Sequence, residues 1–249
     1  MTKKLENRRL LEDRLASLSR LSAGIAHEIN NPLGLILGYT QLMLKEAEPG
    51  DQFHEDLKIV EKHAKNCKKI VEELLKFSRA TETDKTPANL NNLVKEALSA
   101  VQPRLKAKKV LIIRKLDPAL PLVNMDPHKI KQVFMNILIN AEQAMDDAGA
   151  ISVTTRHDAT SRRALVLFRD RGAGIATEII HKIFDPFFTT RPTGMGTGLG
   201  LAVSYGIIRD HDGEITVKSA PGKGSTFTVW LPLGHPGASP EQGGGCHVA

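Results

Sequence analysis

Two runs of apolar residues, each stepping by alternating threes and fours, fill the first third of the chain and leave little choice about how it folds. Leu11, Leu15, Leu18, Ser22, Ile25, Ile29, Pro32, Ile36, Tyr39 and Met43 form one seam; Phe53, Leu57, Val60, Ala64, Cys67, Val71 and Leu74 form the second. A stripe of that period is the mark of a helix that buries one face against other helices. Between the seams, Glu48-Pro49-Gly50-Asp51 stops a helix, because proline cannot supply the next N–H and glycine favours a turn. The pattern predicts two long amphipathic helices joined by a tight turn. One hairpin buries only part of such a stripe, so two hairpins pairing into a four-helix homodimer is the economical arrangement.

Beyond Thr83 the pattern changes to mixed α and β. Pro87 and Asn89-Leu90-Asn91-Asn92 mark a boundary, with Asn89 or Asn91 as a helix N-cap. Helices are predicted at Leu93–Leu105, at Pro127–Met145 and near Leu199–Asp210. Strands are predicted at Val110–Arg114, Ile151–Thr155 and Ala164–Phe168, followed by a hairpin of Glu214–Ser219 and Ser225–Leu231. The last residues, GHPGASPEQGGGCHVA, have no period and read as a disordered tail. The fold class is α+β: an all-α helical hairpin followed by an α/β domain.

Composition removes several alternatives. With 41% hydrophobic and 25% charged residues in 249, there is apolar material for a core, and wholesale disorder is excluded. No apolar run approaches the roughly 18 to 20 residues of a membrane span, and the opening MTKKLENRRL is unlike a signal peptide, so a cytoplasmic protein without a span is expected. Cys67 and Cys246 make neither a disulfide framework nor a metal-ligand spacing, which fits a reducing compartment. The net charge of +6 raises the question of nucleic acid. The basic residues are interspersed with acids and lack stacking aromatics, so no nucleic-acid partner is expected. A mildly basic surface suits an acidic protein or a nucleotide.

His27 sits in Ala26-His27-Glu28-Ile29-Asn30-Asn31-Pro32-Leu33. With Ile25 and Ile29 on the seam, it falls on the face pointing away from the bundle. A lone exposed histidine is ordinary surface, but its neighbours give this one a chemistry. Glu28 can accept a hydrogen bond from one ring nitrogen, fixing the tautomer and leaving the other nitrogen as a nucleophile. Asn31, four residues on, shares the face and can orient a water or an acyl phosphate. Pro32 removes a helical hydrogen bond and can kink the helix one turn further along.

A second group of motifs suits a nucleotide. Asn136 and Asn140 lie four apart on the predicted Pro127–Met145 helix, where two amides on one face can coordinate Mg2+ and reach phosphate oxygens. Asp170-Arg171-Gly172-Ala173-Gly174-Ile175 directly follows a hydrophobic strand. Its carboxylate can accept from an exocyclic amine while the glycines let backbone lie against a flat base. Phe184-Asp185-Pro186-Phe187-Phe188-Thr189-Thr190-Arg191 precedes Gly194-Met195-Gly196-Thr197-Gly198-Leu199-Gly200-Leu201. Those glycines run into a helix, so free N–H groups and the positive end of its dipole face an anion. The stretch from Ile175 to Thr197 reads as a lid over the triphosphate. Gly222-Lys223-Gly224-Ser225-Thr226-Phe227 joins the last two strands and is also readable as a plain hairpin turn. Singly, each motif has a plainer reading as surface amides or turns. No P-loop, dinucleotide fingerprint or protein-kinase signature is present.

In this order and spacing the motifs resemble the sensor histidine kinases of two-component signalling. His27-Glu28 matches the H-box and Asn136/Asn140 the N-box. Asp170/Gly172/Gly174 matches the first glycine box, Phe184–Phe188 the F-box, and Gly196/Gly198/Gly200 the second glycine box. The Asn-Pro after the H-box and the Asn-Ala-Glu-Gln-Ala that begins at Asn140 of the N-box are most similar to the nitrogen-regulator-like subgroup. The resemblance covers about residues 5 to 233.

It implies an ATP-dependent protein-histidine kinase. Residues 1–83 would be a coiled-coil lead-in with a dimerisation and phosphotransfer domain, 84–233 an α/β-sandwich ATP-binding domain of the GHKL type, and 234–249 a tail. The cofactors implied are ATP and Mg2+, with Asn140 on the metal and Asp170 on the adenine amine. Asn136, Gly172, Gly174, Ile175, Phe187, Arg191, Gly196, Thr197, Gly198, Leu199, Gly200 and Thr226 would line the nucleotide. Glu28 would polarise His27 for attack on the γ-phosphorus, and the phosphoryl group would pass to an aspartate of a response regulator receiver domain. Asn31 holds the position associated in such families with dephosphorylating the regulator, which implies a phosphatase activity as well. Gln143 departs from the pattern, since many relatives carry a basic residue there; Arg191 or Lys129 would have to balance the γ-phosphate. Two rival classes fit less well. A different GHKL ATPase, such as a chaperone or DNA-repair clamp, has no use for an exposed His-Glu on a hairpin. A non-catalytic scaffold would have no reason to keep every box residue.

Overall fold

The computed structural model describes residues 28–78, 83–145, 148–192 and 196–233. The leading seam from Leu11 to Ile25, His27 and the tail lie outside them. The chain divides into two compact units, Met1–Glu82 with His181–Gly206, and Thr83–Ile180 with Ile207–Ala249.

In the first unit, α1 (28–46) and α2 (Gln52–Ser78) are joined by the predicted turn, where Gly50 has φ +97° and Asp51 N–H donates to the Glu48 carbonyl at 3.2 Å. The seams divide in an informative way. Leu57, Ala64 and Val71 of α2 are buried, as are Leu37 and Thr40 of α1. Thr40 tolerates burial because its hydroxyl donates to the Ile36 carbonyl at 2.6 Å. Leu37 and Thr40 lie off the predicted seam of α1, whose described members Ile29, Pro32, Ile36, Tyr39 and Met43 are all exposed, as are Phe53, Val60 and Cys67 of α2. Among the described residues much of the apolar stripe is therefore uncovered.

The second unit is built on a five-stranded sheet of order β2-β4-β5-β7-β6. Its strands are β2 (Val110–Lys115), β4 (Gly149–Asp158), β5 (Arg163–Arg169), β6 (Glu214–Ser219) and β7 (Ser225–Pro232). β2 runs parallel to β4; the other pairs are antiparallel. Alternation along the strands buries Ile151, Val153, Ala164, Val166, Phe168, Phe227, Val229 and Leu231. Helices α3 (Leu90–Ala107) and α4 (Pro127–Gln143) pack on each other and on the sheet, with the Phe134 and Phe168 rings 5.2 Å apart. A short ladder of β1 (Thr86–Ala88) with β3 (Val123–Met125) had no sequence signal, being three residues a side. Asn89, not Asn91, caps α3, its side chain accepting from Asn91 N–H at 2.9 Å. Asn91 is instead buried, donating to the Asp117 carbonyl and accepting from the Thr155 hydroxyl, both at 2.7 Å. The remaining helix, α5, spans Gly200–Asp210.

Candidate functional site

Helix α4 starts at a strong cap. The Asp126 carboxylate accepts from His128 and Lys129 N–H at 3.0 and 3.1 Å, with Pro127 in the first turn. Its buried face carries Ile130, Val133, Phe134, Ile137, Leu138 and Ala141. Asn136 and Asn140 fall together on a different, half-buried face. The Gln143 Oε1 atom is buried with no hydrogen-bond partner. Lys129 donates to the Thr83 hydroxyl at 2.9 Å. Among the described residues no three His, Cys, Asp or Glu side chains gather into a metal cluster.

Asp170 directly follows β5 and is 2% exposed. Its backbone N–H donates to the Ser225 carbonyl at 3.0 Å. Its Oδ1 accepts from Gly172 N–H at 2.9 Å and Ser225 N–H at 3.1 Å, and no described hydrogen bond uses Oδ2. Burial pushes this carboxyl above the usual carboxylate range, opposed in part by the two backbone donors. The turn that follows is pinned from two sides. A Cβ at Gly172 would overlap the Ala144 carbonyl at the end of α4, and Ala173 N–H donates to that same oxygen at 2.9 Å. From the β6–β7 turn, Gly222 N–H donates to the Ala173 carbonyl at 2.7 Å, and the Ser219 hydroxyl accepts from Ile175 N–H at 2.8 Å. Gly174 is half-buried in this turn, and Thr226 lies on β7 opposite Arg169. The result is a recessed carboxylate with one committed oxygen and one uncommitted oxygen, which suits acceptance from an amine.

The other unit holds the remaining residues. Gly198 has φ +70° and lies so close to the Phe187 backbone that a Cβ would overlap it; Phe187 itself has φ +64°, and its ring is exposed. Gly196 lies against Arg191 and Thr189. The Thr197 hydroxyl accepts from Leu199 N–H at 3.3 Å at the entry to α5; Leu199 is buried and Gly200 is the first helical residue. Glu28 and Asn31 are exposed on α1, and the adjoining His27 lies outside the described residues.

Of the residues singled out in the sequence, Asp170 and Gly172 are thus joined in one turn, Gly198 meets Phe187, Gly196 meets Arg191, and Asn136 and Asn140 share a face. Ser219 and Ser225 were not foreseen as parts of the Asp170 turn; the Gly-Lys-Gly-Ser run was the available signal. His211 had none. It is buried, its Nδ1–H donating to the Ile207 carbonyl at 2.7 Å and its Nε2 accepting from Asp126 N–H at 2.9 Å. Burial holds its pKa below 6.5.

Comparison with known proteins agrees with this layout. The family of histidine kinase-, DNA gyrase B- and HSP90-like ATPases matches residues 125–235, and the His Kinase A (phospho-acceptor) domain matches residues 17–83. The signal transduction histidine-protein kinase AtoS of Escherichia coli K12 is 42% identical over 232 residues, 93% of this chain and 37% of AtoS. The sensor histidine kinase ZraS of the same organism is 37% identical over 235 residues, 92% of this chain and 50% of ZraS. The chain therefore spans half or less of these relatives. Among solved structures, the histidine kinase ThkA in complex with the response regulator protein TrrA superposes with a TM-score of 0.66 at 28% identity, covering 93% of this chain and 66% of that one. The phospho-acceptor match precedes the ATPase match along this chain, and the chain belongs to the sensor histidine kinases of two-component signalling.

Proposed function

We propose that this chain is an ATP-dependent protein-histidine kinase that phosphorylates its own His27 and passes the phosphoryl group to an aspartate of a response regulator. The observation that carries the nucleotide half is Asp170: a buried carboxylate whose Oδ1 is taken by two backbone N–H groups while Oδ2 is left for the adenine amine. Residues 1–83 act as the dimerisation and phosphotransfer domain and 84–233 as the catalytic domain. The exposed apolar residues of α1 and α2 support pairing with a second copy. The complex of ThkA with TrrA supports a receiver domain as the acceptor.

In the reaction a ring nitrogen of His27 attacks the γ-phosphorus. The N–P bond forms as the bond to the β,γ-bridging oxygen breaks, and ADP leaves with the electron pair. The other ring nitrogen keeps its proton and donates it in a hydrogen bond to the Glu28 carboxylate, which stabilises the cation that develops. The glycine run at 196–200 and Arg191 hold the phosphates, so catalysis is mainly positioning and charge neutralisation. Mg2+ held by Asn140, with Asn136 beside it, supplies further neutralisation of phosphate charge when bound. In the second step the regulator's aspartate attacks the same phosphorus and His27 returns to neutral imidazole. Asn31, exposed one turn beyond His27, orients the water that hydrolyses the regulator's acyl phosphate.

Incubation with ATP labelled at the γ-phosphate tests the reading. Label that survives base but not acid is expected on the wild type and absent from His27→Gln. Labelling of that variant at the wild-type level would overturn the assignment.

A further inference from the structure

A helix ends in carbonyl groups that it cannot satisfy from within. At the C-terminus of α4 these groups are taken by residues far away in sequence. Lys108 Nζ donates to the Glu142 carbonyl at 3.1 Å and to the Met145 carbonyl at 3.2 Å. Between them, the Ala144 carbonyl accepts from Ala173 N–H at 2.9 Å. The same ammonium is 2.9 Å from Glu142 Oε1, and Arg104 Nη2 is 2.8 Å from Glu142 Oε2. The Glu142 carboxylate is almost fully buried, so these two cations from the end of α3 are what make its charge tolerable. The Lys108 carbonyl also accepts Ala148 N–H at 2.9 Å, so one residue grips the chain before and after the α4–β4 connection.

This end of α4 is also the surface on which the Asp170 turn rests. Gly172 is pressed against the Ala144 carbonyl, and Gly172 N–H is one of the two donors that orient Asp170 Oδ1. The direction in which Oδ2 points therefore depends on where Ala144 lies, and Ala144 lies between the two carbonyls that Lys108 holds. We propose that Lys108, with Glu142, is a positioning residue for recognition of the base, setting through Ala144 and Gly172 where Asp170 presents its carboxylate to adenine. The inference rests on the nucleotide reading of Asp170. Lys108 acts only through the turn, and its distance from the nucleotide motifs in sequence is why no motif marks it.

Lys108→Met keeps the aliphatic stem and removes all three donors. Calorimetric titration of the full chain with ADP should show affinity about tenfold weaker, restored to within about threefold by Lys108→Arg, which again presents several donors. In an Asp170→Asn background Lys108→Met should add less than about twofold, because the acceptor it positions is gone. Mg2+-tripolyphosphate, which has no base, should bind all of these variants within about twofold of wild type. Should the single variant not fold, Lys108→Met/Glu142→Gln removes both charges together, leaves no uncompensated buried carboxylate, and is expected to show the same ADP loss. If Asp170→Asn weakens ADP and the Lys108 variants do not, or if the two losses simply multiply, the positioning role is overturned while the nucleotide site stands. If Asp170→Asn leaves ADP binding unchanged, both readings fall.

Discussion

Replacing Asp170 by Asn separates the recognition of adenine from the stability of the fold, because the environment dictates how the new amide must sit. Gly172 N–H and Ser225 N–H both point at the position of Oδ1. Only the amide oxygen can satisfy them, so the NH2 group is forced to the position of Oδ2. There it faces the exocyclic amine of adenine, donor against donor. The lost interaction is a charge-assisted hydrogen bond of roughly 1.5 to 3 kcal/mol, so ADP affinity should fall about ten- to 150-fold. The fold should not suffer in proportion. Burial already disfavours the charge at this position, and a neutral amide keeps both backbone donors satisfied, so a stability change within about 1 kcal/mol is expected. Guanine carries a carbonyl where adenine carries its amine, so GDP should bind the variant better than it binds the wild type. Calorimetric titration with ADP and GDP, beside denaturant unfolding, measures all three quantities. Unchanged ADP affinity with no gain for GDP would refute the adenine role, and a stability loss above about 2 kcal/mol would show that the carboxylate is structural.

Nucleotide affinity should fall on acidification, since adenine binds the ionised Asp170 and burial has raised its pKa: the binding is complete above that value, is lost below it, and should become flat with pH in Asp170→Asn. His211→Gln should cost about 1 to 3 kcal/mol by leaving a buried partner unsatisfied. Because the folded-state pKa of His211 lies below 6.5, wild-type stability should also decline as pH falls through that value, and comparing unfolding midpoints on either side of it should show less decline in the variant. Ile36→Lys combined with Tyr39→Glu should yield monomers by sedimentation, each side chain removing roughly 1.5 to 3 kcal/mol of burial per copy from the paired hairpins; an unchanged dimer would place the interface elsewhere. Asn31→Ala should keep autophosphorylation within a few-fold while slowing loss of phosphate from a purified phospho-regulator by about tenfold, or 1.4 kcal/mol of barrier; identical decay rates would remove the phosphatase role.

What was legible in the sequence is local. The break at Glu48–Asp51, the Asn89 cap and the alternation of β4, β5 and β7 each depend on a few neighbouring residues, and the structure has them within three residues of expectation. The carboxylate of Asp170 was also legible, because a strand running into Asp-x-Gly-x-Gly is a compact pattern. Its supports were not. Ser225 and Ala144 meet the Asp170 turn through backbone groups, and a backbone donor or carbonyl leaves no mark on which residue occupies the position. Lys108 and His211 are single residues in unremarkable surroundings whose long-range partners lie 34 to 85 positions away. The spacing of Ile36 and Tyr39 is that of a buried stripe, and both are exposed, which leaves them for the second hairpin that the sequence reading expects.

Buried charge is handled in two opposite ways in the second unit, and the contrast bears on the proposed function. Glu142 is buried and compensated by Arg104 and Lys108, as a structural acid must be. Asp170 is buried just as deeply, yet among the described residues no cation lies within salt-bridge distance of it, and only backbone N–H groups meet its oxygen. A basic neighbour would make this acid cheaper to bury and lower its pKa. It would also occupy Oδ2 and have to be displaced by every incoming base. An acceptor left without a cation and with Oδ2 open fits the proposed role of Asp170 toward the base, and burial accordingly raises its pKa. The same contrast predicts the response to a compensating charge. Substituting arginine beside Asp170, for example at Thr226 on the adjoining strand, should stabilise the ionised carboxylate and abolish the acid-side loss of nucleotide binding only by weakening binding at every pH.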